Sequence, residues 1–240
     1  MPGSADLFTV AIGGSGHVSA VSYPAATSSV GATLVLAHGA GADQRSPFMV
    51  SFARALASRG LDVVTFNFPY TEQTRRVPDK LPVLQACYHA VIDSVREKLA
   101  GTHDALFIGG KSMGGRVATH VASANPDLAL TGLVLLGYPL HPPGRPESRR
   151  DAHLKDVRRP MLIVQGSRDA FGAPSELGPV VGSLSVRVTL HVVEGGDHSF
   201  KVSRLDKPAQ AAVFEEVQRA IVEWIGTLTR TGPGSLPRPD

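Results

Sequence analysis

The segment that most constrains the fold of this chain runs from Ala105 to Val121, where three patterns follow one another directly. An apolar run, Ala105 to Ile108, predicts a buried strand, and Gly115 to Val121 predicts a helix with one apolar face. The turn between them, Gly110-Lys-Ser-Met-Gly114, has the pattern Gly-x-Ser-x-Gly. Glycine tolerates the crowding and the positive φ of a sharp strand-to-helix turn. We therefore predict a tight turn that presents Ser112 at the end of a strand, rather than an ordinary glycine turn.

Apolar runs and helix-like segments alternate along most of the chain. The predicted strands are residues 7–12, 17–23, 32–37, 61–68, 105–108, 130–136, 161–165 and 186–193. The predicted helices are a segment that starts at Ser46-Pro47 and ends at Gly60, residues 84–99, the segment after the glycine turn up to Asn125, and residues 210–228. Strands joined through helices form parallel sheets, so we predict an α/β fold with a mostly parallel sheet of about seven to eight strands and helices on both faces.

The first two predicted strands form an exception to this alternation. The turn Gly13-Gly-Ser-Gly16 joins them directly and predicts an antiparallel hairpin at one edge of the sheet. A glycine-rich phosphate-binding loop is the competing interpretation, but no helical pattern follows the turn.

Length and composition indicate one globular domain. The chain has 240 residues, of which 42% are hydrophobic and 19% are charged, and both values are typical of globular proteins. We predict a single domain over residues 1–228 and a disordered tail over residues 229–240, where prolines and glycines are frequent. The net charge of +3 is small and spread along the chain, so it does not indicate a nucleic-acid partner.

Two further features bear on location. No apolar stretch reaches the roughly 18 residues of a membrane span, and the N-terminus lacks the basic and apolar regions of a signal peptide. We therefore expect a cytoplasmic protein without membrane contact. The single cysteine, Cys87, excludes an internal disulfide and suits a reducing compartment. It lies in a predicted helix, where we interpret it as a core residue rather than a nucleophile.

Side chains with catalytic potential follow four of the predicted strands, and the carboxyl ends of parallel strands are where reactive groups collect. A serine hydroxyl becomes a good nucleophile when a base takes its proton, and a histidine base works best when an acid orients it. Three such residues occur here in the chain order serine, aspartate, histidine. They are Ser112, Asp169 in Gly166-Ser-Arg-Asp169, and His198 in Gly195-Gly-Asp-His198. The fourth group is the segment His38-Gly39-Ala40, which follows an earlier strand.

Four motifs together resemble those of the α/β-hydrolase family, over about residues 7–227. They are His38-Gly-Ala-Gly-Ala-Asp43, Gly110-Lys-Ser-Met-Gly-Gly115, Gly137-Tyr-Pro-Leu-His141 and Gly166-Ser-Arg-Asp169. The nearest branch resembles the compact dienelactone-hydrolase-like proteins. Within it, the motifs are similar to a group that includes a testis-expressed protein and the hydrolase-like subunit of a histone-acetyltransferase (non-specific-lethal) complex. Dienelactone hydrolases carry cysteine where Ser112 stands, so lactone chemistry does not follow from the resemblance.

The resemblance implies the α/β-hydrolase fold and a role for each motif residue. Ser112 would attack a carbonyl, His198 would take its proton, and Asp169 would hold the imidazole in the required tautomer. The N–H groups of Met113 and Ala40 would bind the oxyanion that forms.

Other residues compete for some of these roles. Asp197 and Glu194 are alternative acids, but Asp197 adjoins His198 and is badly placed to reach back to it, and Glu194 is expected to face solvent. His38 is expected to shape its loop by hydrogen bonding rather than to act as the base.

Two basic residues lie beside the predicted catalytic residues. Solvation by water is one interpretation for both Lys111 and Arg168. The alternative for Arg168 is an ion pair with Asp169, which would weaken the triad. The predicted walls of the substrate pocket are His38, Gly39, Tyr70, Lys111, Tyr138 and Phe171.

The connection over residues 141–160 bears on the substrate. Many α/β-hydrolases insert a lid between the corresponding strands, but this connection is too short for a lid domain, so we expect an open, shallow site. It holds six basic and three acidic residues, which leaves a local charge of +3. A carboxylate- or phosphate-bearing ester is favoured if these side chains rim the cleft, and a solvated loop is the alternative.

These observations favour a serine hydrolase that acts on small esters or thioesters through an acyl-enzyme, with no metal or organic cofactor. One alternative is a hydrolase-like interaction module with a protein partner, in which catalysis is unimportant. Another is a hydrolase of short peptide or amide bonds. A free peptide amine would need an acidic anchor near the site, and the sequence offers no obvious one.

Overall fold

The fold is built on a single β-sheet, and the computed structural model describes residues 5–14, 16–26, 28–99 and 105–230. The strands in this part of the chain are β1 (Asp6–Ile12), β2 (Gly16–Tyr23), β3 (Ala32–Ala37), β4 (Asp62–Phe66), β5 (Ala105–Lys111), β6 (Gly132–Leu136), β7 (Met161–Gly166) and β8 (Val188–Val193). The helices there are α1 (Pro47–Ala57), α2 (Pro69–Glu72), α3 (Leu81–Lys98), α4 (Met113–Ala124), α5 (Pro174–Gly182) and α6 (Lys207–Arg230), and a 3-10 turn spans Leu154–Asp156.

The strand order across the sheet is β1-β2-β4-β3-β5-β6-β7-β8. β1 pairs antiparallel with β2, and β2 pairs antiparallel with β4. The pairings that join β4, β3, β5, β6, β7 and β8 are all parallel. The predicted α/β fold with an antiparallel edge is therefore confirmed. This order places the ends of β3, β5, β6, β7 and β8 along one edge of the sheet, where sites in such folds form.

Apolar side chains cover both faces of the sheet. Val35 of β3 packs in the layer formed with α3 and α4, whereas the preceding residue, Leu34, packs in the layer formed with α1 and α6. A strand that is buried on both faces has a continuous apolar sequence, which explains the pattern of β3. Cys87 is buried in the first of these layers, and burial raises the pKa of its thiol to about 12. Its predicted place in the core is confirmed.

Two helices in the structure have no counterpart in the sequence pattern. α2 has four residues and begins at Pro69, so it is too short to show a helical period. α5 contains Pro179 and buries only Leu177, so its apolar residues do not form a recognisable stripe. Both helices begin with proline in the first turn, where the missing N–H costs nothing.

Helix boundaries differ from prediction in two further places. α3 begins at Leu81, three residues before the predicted start. α6 begins at Lys207 and ends at Arg230, two residues beyond the predicted end of the domain. The rest of the predicted tail, residues 231–240, lies outside the described residues.

The connection between β6 and β7 carries no lid domain. Residues 137–160 are all described, and the 3-10 turn Leu154–Asp156 is their single helical segment. Across the described ranges, no helix is both long and apolar enough to span a bilayer.

Two glycines allow β5, α4 and the end of β3 to approach one another closely. A Cβ on Gly114 would lie 2.4 Å from the carbonyl oxygen of Ala37, and a Cβ on Gly110 would lie 2.6 Å from the same oxygen. Real Cβ atoms do not approach a backbone oxygen so closely, so any other residue would push α4 away from the sheet.

We predict that Gly114→Ala lowers the free energy of unfolding by about 1–3 kcal/mol or more, because the added methyl group has no space. Urea titration of the purified variant measures this loss. The matched control is Gly178→Ala in α5, where an added Cβ meets no atom within 4 Å. That variant should be as stable as the wild type or slightly more stable, and an equal loss in both variants would contradict the packing argument.

A pair of stacked histidines joins α4 to the segment that precedes the 3-10 turn. The rings of His120 and His153 lie 3.5 Å apart between centroids and are nearly parallel. The Oγ1 of Thr119 lies 2.8 Å from Nε2 of His153. Burial, together with the nearby Arg116 charge, lowers the pKa of His120 to about 4 and that of His153 to about 3. Both rings are therefore neutral in the folded protein at neutral pH.

This pair should make stability depend on pH. In the unfolded chain the histidines take up protons below a pH of about 6.5, whereas the folded protein resists protonation down to about pH 4. Stability should therefore fall as the pH falls through this window and should level off above it. Urea titrations at pH 7 and pH 5 should show a smaller fall for the double variant His120→Gln/His153→Gln than for the wild type. An identical fall in both proteins would contradict this assignment.

Candidate active site

Ser112 occupies a strained turn between β5 and α4. Its backbone has φ 51° and ψ −114°, a conformation that L-residues rarely adopt. Its N–H donates to the carbonyl oxygen of Leu136 in the neighbouring strand β6, and its own carbonyl oxygen accepts from the N–H of Arg116. Both bonds fix the turn, so the hydroxyl projects beyond the edge of the sheet rather than into the core.

The structure brings the three sequence-predicted catalytic residues together. Nε2 of His198 lies 2.8 Å from Oγ of Ser112, and Nδ1 of His198 lies 2.8 Å from Oδ2 of Asp169. An ionised Asp169 can only accept, so it holds the proton of His198 on Nδ1 and leaves Nε2 free to accept the serine proton. The Asp169 side chain is completely buried, while the imidazole retains 22% of its exposure. The imidazole is thus within reach of both the serine and solvent.

A buried glutamine holds Asp169 in place. Nε2 of Gln165 donates to Oδ2 of Asp169 at 2.8 Å, and the N–H of Phe171 donates to Oδ1 at 2.8 Å. Gln165 also accepts from the N–H of Tyr138, so it ties the end of β7 to the end of β6. Gln165 is not among the site residues predicted from the sequence, although a glutamine at the end of the apolar run 161–164 is a visible signal.

The competing acids and the neighbouring arginine lie elsewhere. Asp197 is exposed, and its Oδ1 accepts from the N–H groups of Ser199 and Lys201, so it shapes the turn. Glu194 is exposed, as expected. Arg168 is also exposed, and among the ion pairs of the described ranges none joins it to Asp169.

The loop after β3 lies against the serine turn. A Cβ on Gly39 would lie 3.5 Å from Cβ of Ser112. His38 fixes this loop, since its Nδ1 is 2.9 Å from the carbonyl oxygen of Gly39 and its Nε2 accepts from the N–H of Phe68 at 3.2 Å. Burial lowers the pKa of His38, which favours the neutral ring that these bonds require. His38 therefore shapes its loop by hydrogen bonding, as predicted, and is not placed to act as a second base on Ser112.

Two backbone N–H groups near Ser112 have no partner among the described residues. Met113 is the first residue of α4, where N–H groups lack an acceptor within the helix. Among the hydrogen bonds found in the described residues, none uses the N–H of Met113 or that of Ala40. Both residues line the same cavity as Ser112. They are the donors predicted for an oxyanion.

A cavity of about 530 Å³ opens over Ser112. It is lined by Gly39, Ala40, Ala42, Ser46, Pro47, Phe48, Met49, Lys111, Ser112, Met113, Arg116, Pro139, Arg150, Phe171, His198 and Ser199. Of the predicted pocket walls, Gly39, Lys111 and Phe171 are in this set. The ring of Phe171 lies 4.2 Å from that of His198 between centroids.

Three predicted pocket walls do not reach the cavity, and the prediction is wrong for them. The ring of His38 is fully buried and packs edge-on against Phe68 and Tyr70. Tyr70 is itself buried beneath this contact. Tyr138 is buried as well, and its hydroxyl donates to the carbonyl oxygen of Arg150. Each of these side chains points into the protein, although each follows the end of a strand.

A family model for the alpha/beta hydrolase domain matches residues 30–226. The chain belongs to the α/β-hydrolase family.

Several solved structures share the fold of this chain. The α/β-hydrolase resembles a serine hydrolase homologue from Coxiella burnetii with a TM-score of 0.70 and 21% identity, over 93% of this chain and 97% of that chain. It resembles a dienelactone hydrolase from Anabaena variabilis with a TM-score of 0.72 and 19% identity, over 92% and 96%. A serine hydrolase without a lid from Xanthomonas campestris matches with a TM-score of 0.67 and 21% identity, over 99% of both chains.

Lys111 of this α/β-hydrolase is buried beside the catalytic residues. Its Nζ has no hydrogen-bond partner among the residues that the structure describes, and it lies 5.9 Å from the ring centroid of Phe48 and 5.8 Å from that of Phe200. Burial lowers the pKa of this amine to about 8, against the attraction of Asp169 and Asp197. The prediction that Lys111 is solvated is therefore wrong, because the side chain is buried.

Within the described ranges, no group of three or more histidine, cysteine, aspartate or glutamate side chains is placed to hold a metal ion. The donors that meet in this site are instead the hydroxyl, imidazole and carboxylate of Ser112, His198 and Asp169.

We predict that Lys111→Met stabilises the α/β-hydrolase at pH 7, because the buried ammonium has no partner. The shift in the lysine pKa from 10.5 to about 8 corresponds to at most about 3 kcal/mol. Above pH 8 the folded wild type loses a proton that the unfolded chain keeps, so its stability rises and the difference should shrink towards pH 10.

Urea titrations at pH 7 and pH 9.5 test this expectation, with the exposed Lys155→Met as the matched control. The control should not change stability at either pH. A Lys111→Met protein less stable than the wild type at pH 7 would mean that the ammonium is well solvated.

Proposed function

We propose that this protein is a serine hydrolase that cleaves small esters or thioesters through an acyl-enzyme. One observation carries the proposal: the hydroxyl of Ser112, the imidazole of His198 and the carboxylate of Asp169 form a continuous chain with both distances at 2.8 Å. This chain stands at the mouth of a cavity and beside two unused N–H donors. Nucleophilic acyl transfer needs each of these parts.

The first half of the reaction would acylate the serine. Nε2 of His198 takes the hydroxyl proton while Oγ of Ser112 bonds to the carbonyl carbon, and the negative charge of Asp169 stabilises the imidazolium. The N–H groups of Met113 and Ala40 donate to the oxyanion. The intermediate collapses, the bond to the leaving oxygen or sulfur breaks, and His198 returns the proton to the leaving group.

The second half would release the acid. Water reaches the acyl carbon through the open cavity, and His198 takes a proton from it as the new C–O bond forms. Collapse of this intermediate breaks the bond to Oγ of Ser112, which regains its proton from His198. Water and an ester are thereby converted to an acid and an alcohol, or to an acid and a thiol from a thioester, and the enzyme is restored.

Two other functions account less well for the site. An interaction module in which catalysis is unimportant would not require a buried carboxylate, a glutamine and an imidazole to converge on one strained serine. A hydrolase of short peptides would need an acid near the substrate amine, and none of the residues that line the cavity is a carboxylate. Cleavage of small esters or thioesters therefore has the better support.

The first test is labelling of the purified protein by a fluorophosphonate probe, which needs an activated serine and little else. We expect the wild type to be labelled and Ser112→Ala to be unlabelled. Asp169→Asn should reduce kcat on p-nitrophenyl butyrate by about 10³–10⁴-fold, because the imidazole then carries its proton on the wrong nitrogen.

Ser123→Ala is the matched control for labelling, because Ser123 lies on the same helix α4 and its hydroxyl only bonds the carbonyl oxygen of His120. It should be labelled like the wild type. Absence of labelling in well-folded wild-type protein would refute the hydrolase proposal and favour the interaction module.

A further inference from the structure

The cavity over Ser112 has an unbalanced set of charges. Three residues with cationic side chains line it, namely Lys111, Arg116 and Arg150, of which Lys111 has a buried Nζ, and no carboxylate is among the described residues that line it. The carboxylate of Asp169 lies behind His198 and is committed to Nδ1 of that ring and to the amide of Gln165. The charged side chains that a ligand would meet in this cavity are therefore those of Arg116 and Arg150.

Arg116 is placed beside the serine by the helix. It lies four residues after Ser112 on α4, and its N–H donates to the carbonyl oxygen of Ser112 at 3.0 Å. Side chains of an α-helix lean towards its N-terminus, so the guanidinium of Arg116 leans towards the serine. Its Nε is buried and, among the residues that the structure describes, has no hydrogen-bond partner. The residue as a whole is only half-buried, so the remaining guanidinium donors are open to a ligand with oxygen acceptors.

Arg150 is fixed at the cavity through its backbone. Its N–H donates to the carbonyl oxygen of Leu140 at 2.8 Å, and its carbonyl oxygen accepts from the hydroxyl of the buried Tyr138 at 2.8 Å. Of the six basic residues in the connection over 141–160, Arg150 is the one that lines the cavity. Its neighbour Arg149 is exposed and paired with Asp151, whereas no ion pair within the described ranges includes Arg150.

The two arginines line the same cavity, so their like charges affect each other. Burial lowers the pKa of Arg116, and the charge of Arg150 lowers it further. Two like charges that share one cavity repel each other, and no acid is among the described residues that line this cavity. An anion between them would remove the repulsion and would accept several charge-assisted hydrogen bonds.

We propose that Arg116 and Arg150 form a binding site for a carboxylate or phosphate group of the substrate. This inference rests on the proposed function and narrows it: the preferred substrates are small esters or thioesters that carry an anionic group in addition to the bond that is cleaved. The rest of the cavity is largely apolar, with Phe48, Met49 and Phe171 among its walls. It suits a short hydrocarbon chain between the anion and the carbonyl.

The kinetic test compares substrates that differ in one charge. For the acyl side the pair is p-nitrophenyl hydrogen glutarate and p-nitrophenyl methyl glutarate, and for the leaving-group side it is 3-carboxyphenyl butyrate and 3-carbamoylphenyl butyrate. We expect the wild type to prefer the anionic member of at least one pair by about 10- to 100-fold in kcat/KM, which is the effect of charge-assisted hydrogen bonds. The double variant Arg116→Gln/Arg150→Gln should reduce this preference to near one.

Arg149→Gln is the matched control, because it removes an adjacent positive charge that does not line the cavity. It should retain the wild-type preference. A wild type without preference in either pair, or a preference that the double variant keeps, would overturn the inference.

A binding test separates this inference from the proposed function. Ser112→Ala protein should bind monomethyl glutarate or methyl phosphate in a calorimetric titration, and the triple variant that also carries Arg116→Gln/Arg150→Gln should not. Binding by either anion supports the inference, and the two titrations distinguish a carboxylate site from a phosphate site. Failure of fluorophosphonate labelling would refute the proposed hydrolase function and would leave the anion site untouched. If the Ser112→Ala protein unfolds at the wild-type temperature but binds neither anion, the anion site is refuted and the hydrolase function is not.

Discussion

Backbone crowding at the junction of β5 and α4 is the constraint on which the rest of the site depends. Gly110 and Gly114 allow this junction to lie against the carbonyl oxygen of Ala37 at the end of β3. The close approach holds Ser112 at a positive φ and brings the N-terminus of α4 beside the loop that follows β3. The nucleophile and the two unused N–H groups therefore come from one packing arrangement and not from independent loops.

The rest of the site is aligned by buried polar groups at neighbouring strand ends. Gln165 connects the ends of β6 and β7 and holds Asp169, which in turn orients His198 after β8. On the other side, His38 holds the loop of Gly39. The hydrogen bonds of Gln165 and His38 join buried groups, where polar groups that find partners fix a single geometry. The alignment is thus a property of the sheet register and not of flexible loops.

Sequence patterns were sufficient for the sheet and for the residues at its strand ends, because burial on both faces and a crowded glycine turn leave clear local signals. They failed where tertiary packing decides the direction of a side chain. Tyr138 follows Gly137, whose φ of 64° turns the chain so that the tyrosine ring enters the core. Arg116 shows only a helical spacing from Ser112, and Arg150 is one of six basic residues in its connection. Their shared cavity is visible only in three dimensions.

The absence of a lid domain over residues 137–160 has a consequence for the fate of an acylated serine. An acyl group on Ser112 would lie in a cavity open to solvent, beside an imidazole that keeps 22% of its exposure. Small alcohols, thiols or amines could then enter beside water and compete for the acyl group. Under such conditions the protein would act as an acyltransferase, and the partition between transfer and hydrolysis would follow the concentration of the acceptor.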